Sequence, residues 1–180
     1  MKGLPKMATN SKAADPMDIE MDDDPFDSPG SGEFIDWEEH NGALMVFVPL
    51  RYEDHIPTIN TKEGKKSPCV VADVYVLTGE GAQDEDGNIP KLGRLFEGTM
   101  VFQAMHHRLK GKLPEGNRHS FVLARLTQGP KQPGRNKPWV LADVKDNKED
   151  MKIARAWMAA YRAEQEARKN AEDPFEGANG

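Results

Sequence analysis

The sequence has little cysteine and no long apolar run. Cys69 is the only cysteine, which excludes an internal disulfide framework and a cysteine-based zinc site within a single chain. No run of 18 or more apolar residues occurs, and no apolar stretch follows the start of the chain. We therefore expect neither a membrane span nor a secretory signal. Any chemistry in this protein must depend on groups other than thiols.

Apolar residues are also scarce. They make up 37% of the 180 residues, and the mean hydropathy is −0.72. A globular domain carries about half apolar residues, so this deficit predicts that part of the chain stays disordered. We expect acidic disordered tails at residues 1–33 and 170–180, which flank a single domain over residues 34–145 and a helix over residues 146–169.

Charge is distributed unevenly along the chain. Residues 1–40 hold 3 basic and 11 acidic side chains, whereas residues 41–145 hold 15 basic and 11 acidic ones. Within the middle segment, residues 91–140 contain ten Lys or Arg and only two acids. A basic body between acidic ends is typical of a protein that binds a polyanion, although the net charge is −6.

Five short apolar runs bounded by turn residues predict a mainly β domain. The runs occupy residues 44–48, 69–77, 95–103, 120–126 and 139–144. A short helix is predicted near residues 106–110, after the third run. Five strands with a short helix after the third is the order of an OB-fold, so we predict a five-stranded OB-fold-like barrel over residues 34–145.

Two of the predicted strands contain a residue that bends or ends strands. Pro49 is expected to close the first strand, because proline cannot donate to a strand ladder. Gly98 is expected to mark a bulge or sharp bend in the third strand. Strict alternation along that strand would place Phe96, Met100 and Phe102 on one face.

The C-terminal segment predicts an amphipathic α-helix from Lys148 to about Arg168. Asn147 and Asp150 form a capping pair at its start. Apolar residues recur at spacings of three and four, at Met151, Ala154, Trp157, Met158 and Tyr161. We expect this stripe to pack on the barrel or on a second copy of the chain, which leaves a homo-oligomer open.

In an OB-fold the loops between strands one and two and between strands four and five flank the ligand face. Both loops are basic here. Lys and Arg neutralise phosphates, and aromatic rings stack bases without choosing among them. The predicted nucleic-acid-binding residues are Arg51, Tyr52, Lys62, Lys65, Lys66, Tyr75, Arg108, Lys110, Arg125, Lys131, Arg135, Lys137 and Trp139. Whether Tyr75 and Trp139 stack bases or belong to the core stays open at this point.

The sequence contains no recognisable enzyme motif. His106, His107 and His119 lack a carboxylate at a chelating helical spacing. The acidic turn at residues 84–88 has its glycine at the wrong place for a calcium loop. We therefore predict no catalytic residues, no metal site and no cofactor.

A short acidic peptide occurs twice, as Asp24-Pro25-Phe26 and as Asp173-Pro174-Phe175. Each places an aromatic ring beside proline and acids in a segment that is otherwise too polar to fold. Such a peptide can insert its ring into an apolar pocket while its acids meet a basic rim. We predict these residues as partner-binding, with solubilising tails as the alternative.

Residues 51–144 resemble the OB-fold single-stranded DNA-binding proteins of actinobacteria-infecting phages. The matching segments are Pro49-Leu50-Arg51-Tyr52-Glu53, Val71-Ala72-Asp73-Val74, Gln128-Gly129-Pro130 and Pro138-Trp139-Val140-Leu141. The resemblance implies sequence-nonspecific binding of single-stranded DNA in phage replication, recombination or repair, in the cytoplasm of the bacterial host cell.

The two acidic peptides are similar to the acidic tip of bacterial single-strand-binding proteins, which recruits replication and repair enzymes. The bacterial tip ends its chain, whereas Phe175 is followed by five more residues and Phe26 lies near the N-terminus. A pocket that reads a terminal carboxylate would accept neither peptide. The alternative function is a protein-protein interaction module, such as a virion or host-takeover adaptor, with an OB-like barrel and no nucleic-acid binding.

Overall fold

A computed structural model of the chain describes residues 34–59 and 61–172. The tail predicted at residues 1–33 and both Asp-Pro-Phe peptides lie outside the described residues. The secondary-structure elements of the described part are β1 (Leu44–Glu53), β2 (Cys69–Val76), β3 (Arg94–Phe102), α1 (Gln103–Lys110), β4 (Val122–Gln128), β5 (Trp139–Ala142) and α2 (Lys148–Glu172). A single 3-10 turn at Glu80–Ala82 follows β2.

The five strands form one antiparallel sheet in the order β3-β2-β1-β4-β5. The sheet is strongly curled into a half barrel. β1 is its central strand and pairs with β2 on one side and β4 on the other. These features confirm the prediction of a mainly β domain with five strands, a short helix after the third strand, and a C-terminal helix.

β1 does not end at Pro49, as the sequence predicted, but continues to Glu53. The pairing with β2 shifts between Pro49, which faces Ala72, and Arg51, which faces Val71. This β-bulge is the reason that the strand tolerates a proline, because a bulge interrupts the ladder where the N–H donor is missing. The extra residue also reverses which side chains face which side of the sheet beyond Pro49.

The bulge predicted at Gly98 is present in β3. The register with β2 shifts between Ala72 and Val74. Gly98 has a φ of +60°, and its N–H donates to Asp73 Oδ1 at 2.9 Å. The bulge inverts the alternation, so Phe96 and Val101 are both buried.

The predicted shared face of Phe96, Met100 and Phe102 is therefore wrong. Met100 is 36% exposed, and Phe102 is only half-buried at the end of the strand. Strict alternation fails because a bulge adds one residue to a period of two.

One face of the sheet packs against α1 and is called the α1 face. Met105 and Leu109 of α1 are buried there. The strand residues of this core include Met45, Phe47, Val70, Ala72, Val74, Val76, Phe96, Val101, Ala124, Leu126 and Leu141. The alternation of β1 sends Leu44, Val46 and Val48 to the opposite face, which packs against α2 and is called the α2 face.

Four aromatic rings join α2 to its face of the sheet. We call Tyr75, Phe121, Trp157 and Tyr161 the aromatic cluster. Trp157 is 3% exposed, lies edge-on to Tyr75 at 5.1 Å between ring centroids, and stacks on Tyr161 at 5.0 Å. Its Nε1–H donates to the carbonyl of Leu92 at 2.9 Å. Trp157 of the predicted apolar stripe is thus buried against the sheet of its own chain, and Met158 and Tyr161 pack beside it half-buried.

The start of α2 has a clear physical cause. Asn147 Oδ1 accepts hydrogen bonds from the backbone N–H groups of Glu149 and Asp150, each at 3.1 Å, which is the predicted N-cap. The helix extends to Glu172, beyond the predicted end near Arg168. No helix in the described part of the chain is long and apolar enough to cross a membrane.

Candidate nucleic-acid interface

Seven of the thirteen predicted binding residues fall into two groups, each of which also contains residues that the sequence did not predict. The first, called the tryptophan cleft, consists of Phe34, Trp37, Lys131, Arg135, Lys137 and Trp139. The second, called the Tyr52 group, consists of Tyr52, Asp54, Lys66 and Lys110. The remaining predicted residues lie beside one of these groups or elsewhere in the fold.

The tryptophan cleft has a volume of about 670 Å³ and lies between the β4–β5 loop and the segment before β1. The loop is closed where the Gly129 N–H donates to the Pro138 carbonyl at 2.7 Å, next to the pairing of Gln128 with Trp139. This closure brings three exposed cations to one wall of the cleft, at Lys131, Arg135 and Lys137.

Trp139 belongs to both the core and the rim. Its half-buried ring packs against the α1-face core and also lines the cleft. The first residue of a strand beside a loop lies at the boundary of the core, so Trp139 is neither wholly core nor wholly surface. Base stacking on its ring stays a prediction.

Two further aromatic rings line the cleft, and the sequence analysis predicted neither of them. Phe34 is 86% exposed, and Trp37 is half-buried, with its ring stacked at 6.5 Å from that of Phe47. The available signal was the presence of two aromatic residues at the end of an acidic segment. The same segment also contributes Asp36 and Glu38, so three cations face two carboxylates in the cleft.

The Tyr52 group depends on the bulge in β1. Odd-numbered residues face α1 before Pro49, but the inserted residue turns Tyr52 to that side instead. There Lys110 Nζ of α1 lies 4.2 Å from the centroid of the Tyr52 ring. This cation–π contact covers one face of the ring with an ammonium group.

A carboxylate partly neutralises this group. Asp54 forms an ion pair with Lys66, and both side chains are exposed. The hydrogen bond and charge of Lys66 lower the pKa of Asp54, and Lys110 adds to the effect. Asp54 in turn raises the pKa of Lys66. The charges of Lys66 and Lys110 are therefore partly balanced by one carboxylate.

The other cations of the β1–β2 loop lie beside the Tyr52 group. The loop is closed by a hydrogen bond from the Ile56 N–H to the Ser67 carbonyl at 2.9 Å. Lys62 and Lys65 are exposed on a turn within it. Arg51 lies on the opposite side of β1 from Tyr52 and pairs with Glu53 at 2.7 Å.

Tyr75 is not available for base stacking in this structure. The ring is 9% exposed and lies under α2, in the aromatic cluster. Burial raises its pKa to about 12, to which Tyr161 and Asp73 contribute. The sequence prediction failed because a tyrosine on the solvent side of an isolated sheet is covered once a helix packs on it.

Arg125 also serves the fold and not a surface site. Its guanidinium forms two hydrogen bonds to the carboxylate of Asp150 in α2 and a third to the Gly42 carbonyl. Arg108 is exposed on α1 but lines a different, apolar groove, together with Lys112 and Lys145. Neither residue joins the tryptophan cleft or the Tyr52 group.

The two groups lie at opposite ends of β1. Leu44, at its start, pairs with Arg125, three residues before the β4–β5 loop, whereas Glu53 at its end leads into the β1–β2 loop. A strand of 10 residues is about 33 Å long. A ligand that contacts both groups must be extended, and a short stretch of single-stranded nucleic acid has such dimensions.

Comparisons with known proteins add no family to these observations. No protein-family model, no curated protein and no solved structure matches the chain. Among residues 34–59 and 61–172, no group of three or more His, Cys, Asp or Glu side chains has the geometry to hold a metal ion. Any functional proposal therefore depends on the chemistry of the tryptophan cleft and the Tyr52 group.

Proposed function

We propose that this protein binds single-stranded DNA without sequence preference and acts in phage DNA replication, recombination or repair. The observation that carries the proposal is the tryptophan cleft, where three cations lie beside three aromatic rings. Cations that neutralise phosphates and rings that stack bases are the two components of sequence-tolerant binding to single strands. The protein would act in the cytoplasm of the bacterial host cell.

We further infer that the half barrel is an OB-fold. Its five antiparallel strands, its central β1 and its helix between β3 and β4 support this assignment. In an OB-fold the β1–β2 and β4–β5 loops bind the oligonucleotide. Here these are the loops that carry the Tyr52 group and the tryptophan cleft.

The proposed mechanism needs no bond to form or break. Lys131, Arg135 and Lys137 neutralise phosphates, while a base stacks on the outward face of Trp139. Asp36 and Glu38 oppose the cations, which keeps the attraction moderate. The cation–phosphate contacts themselves make the binding sensitive to salt. The acidic Asp-Pro-Phe peptides would then be available to recruit replication or recombination proteins.

The proposal can be tested with a labelled oligo-dT, titrated with the full chain at several salt concentrations and read by fluorescence anisotropy. Replacing Lys131, Arg135 and Lys137 together with Ala should weaken binding. It should also flatten the plot of log affinity against log salt by about 2, because each phosphate contact on a single strand contributes about 0.7. A duplex of the same length should bind more weakly than dT to the unaltered protein.

The matched control replaces three exposed cations outside both groups, Lys91, Lys152 and Arg155, with Ala. It removes the same net charge, so only the position of the charges differs. An equal loss of affinity in both triple variants would show that net charge alone drives binding. An unchanged salt slope in the first variant would remove the tryptophan cleft from the site.

Tryptophan fluorescence gives a second test of the same cleft. Stacked bases quench an exposed indole, so dT should quench the fluorescence of the protein. Trp139→Phe should reduce this quenching, whereas Trp157→Phe should not, because Trp157 is buried under α2. Equal quenching in all three proteins would contradict stacking on Trp139.

A protein-interaction module is the second candidate, and one observation favours it. An apolar groove of about 320 Å³ lies between the β2–β3 connection and α2, and Ile89 on its edge is 49% exposed. An apolar surface of this kind can take a protein ligand. This function predicts a partner that stays bound at high salt together with no binding of oligonucleotides at low salt.

A further inference from the structure

An apolar groove with a basic rim lies where four elements meet. Its volume is about 410 Å³, and it is formed by β4, β5, the last turn of α1 and the first turn of α2. Val122, Leu141, Val144 and Met151 supply apolar lining. The proposed DNA contacts in the tryptophan cleft do not include these residues. We call this feature the α1–α2 groove.

The rim of the α1–α2 groove carries three exposed cations, Arg108, Lys112 and Lys145. Asp143 is the one acid of the lining. Its carboxylate accepts a hydrogen bond from the Lys145 N–H at 3.0 Å, which lowers its pKa. The rim is therefore positively charged around an apolar floor.

We propose that the α1–α2 groove binds the C-terminal acidic peptide of a second copy of this chain, with the Phe175 ring on the apolar floor. Glu172 and Asp173 precede Pro174 and the ring, so two carboxylates can meet the basic rim. Proline beside the ring limits the conformational entropy that the peptide loses on binding. The chemistry of the peptide and that of the groove are thus complementary.

The length of α2 favours the peptide of another chain over that of the same chain. Met151 lines the groove at the start of α2, whereas the described helix ends 21 residues later at Glu172. At 1.5 Å per residue these ends are about 31 Å apart. The three residues from Glu172 to Phe175 reach at most about 11 Å. The floor of the groove beside Met151 is therefore beyond the reach of the same chain's ring, although Phe121 at its other edge lies nearer, against Tyr161. This favours the groove of another molecule.

The other acidic peptide is distinguished by experiment, and the other apolar groove fits less well. Asp24-Pro25-Phe26 has similar chemistry, so the Phe26→Ala variant below separates it from the C-terminal peptide. The apolar groove beside Trp157 has a single cation, Lys91, in its lining, so it lacks a basic rim.

Sedimentation velocity of the full chain over a range of concentrations tests the proposal. The unaltered protein should form dimers and larger species, which should dissociate as salt rises because the rim contacts are exposed. Phe175→Ala should abolish association, and so should Lys112→Glu combined with Lys145→Glu. Phe26→Ala and the matched control, Lys91→Glu combined with Lys152→Glu, should behave like the unaltered protein.

Mixing two variants identifies the contact itself. A Phe175→Ala chain has an intact groove, and the Lys112→Glu, Lys145→Glu chain has an intact peptide. Each should sediment as a monomer alone, whereas an equimolar mixture should form a one-to-one dimer. Circular dichroism and thermal unfolding would confirm that the variants are folded.

Three results would overturn the proposal. They are a monomeric unaltered protein at all concentrations, association that Phe26→Ala abolishes, and a mixture of the two variants that stays monomeric. The second result would assign the groove to the N-terminal peptide. Because these measurements contain no DNA, their outcome is independent of the oligo-dT titration.

Discussion

The guanidinium of Arg125 in β4 holds the carboxylate of Asp150 in α2 through two parallel hydrogen bonds. Nε lies 2.8 Å from Oδ2, and Nη2 lies 2.6 Å from Oδ1. The carboxylate is 1% exposed, whereas the arginine side chain is 35% exposed. This bidentate pair fixes the start of α2 against the sheet.

Removing either partner should destabilise the fold, but not equally. Arg125→Ala leaves a buried carboxylate without its cation and should lower the free energy of unfolding by about 3 kcal/mol. Asp150→Ala should cost less, because the remaining arginine can reach water. The control is Arg168→Ala, which breaks the exposed pair with Glu164 and should cost at most about 0.5 kcal/mol. Urea denaturation measures all three, and equal losses would contradict a buried pair.

The aromatic cluster should make stability fall at alkaline pH. The pKa of Tyr75 is about 12 in the folded protein, against about 10 in an unfolded chain. Because the folded state favours the protonated hydroxyl, the stabilisation is complete below pH 10 and is lost as pH rises towards 12. The loss should be roughly 2 kcal/mol.

Tyr75→Phe tests this dependence directly. The variant lacks the hydroxyl, so its urea denaturation should change less between pH 9 and pH 11.5 than that of the unaltered protein. A residual dependence should remain, because burial also raises the pKa of Tyr161. Identical pH profiles for the two proteins would show that Tyr75 ionises equally in both states.

Gly93, just before β3, should not tolerate a side chain. Its φ is +76°, and a Cβ built there would lie 2.4 Å from the Val76 carbonyl oxygen. Gly93→Ala should therefore cost at least about 2 kcal/mol, from both strain and overlap. Gly111→Ala is the matched control, since nothing lies within 4 Å of its Cβ position and its φ is −80°. Thermal unfolding should separate the two variants, and equal stability would contradict the close approach.

Asp54 should limit DNA affinity through its ion pair with Lys66. Asp54→Asn removes the carboxylate that both Lys66 and Lys110 face, so oligo-dT should bind more tightly at low salt. The salt slope should steepen by about 0.7, the contribution of one added phosphate contact. Asp86→Asn in the exposed turn before β3 makes the same charge change elsewhere. If both variants gain affinity equally, the Tyr52 group does not contact DNA.

Local sequence patterns predicted well those features of the fold that depend on residues close together in the sequence. The N-cap at Asn147 and the bulge at Gly98 were both predicted, because capping and backbone strain act within a few residues. The continuation of β1 through Pro49 was not predicted, since it depends on pairing with β2. The same bulge decides that Tyr52 meets Lys110 across the α1 face.

In the candidate site, too, the sequence predicted some residues, and others could be found only from the tertiary structure. The basic loop residues Lys131, Arg135 and Lys137 were predicted from composition, and the structure gathers them in one cleft. Phe34 and Trp37 were missed, because their contribution to the cleft depends on where the segment before β1 lies. Tyr75 and Arg125 were predicted as DNA contacts, yet α2 covers the first and pairs with the second.

The sequence by itself determined the order of strands and helices, the amphipathic face of α2, and the concentration of cations between acidic ends. These follow from periodicity and composition, which are properties of the chain. The tertiary structure alone decided which side chains share a surface. Burial under α2, the bulge in β1 and the closure of the β4–β5 loop bring together residues that are distant in sequence, and no local pattern records such contacts.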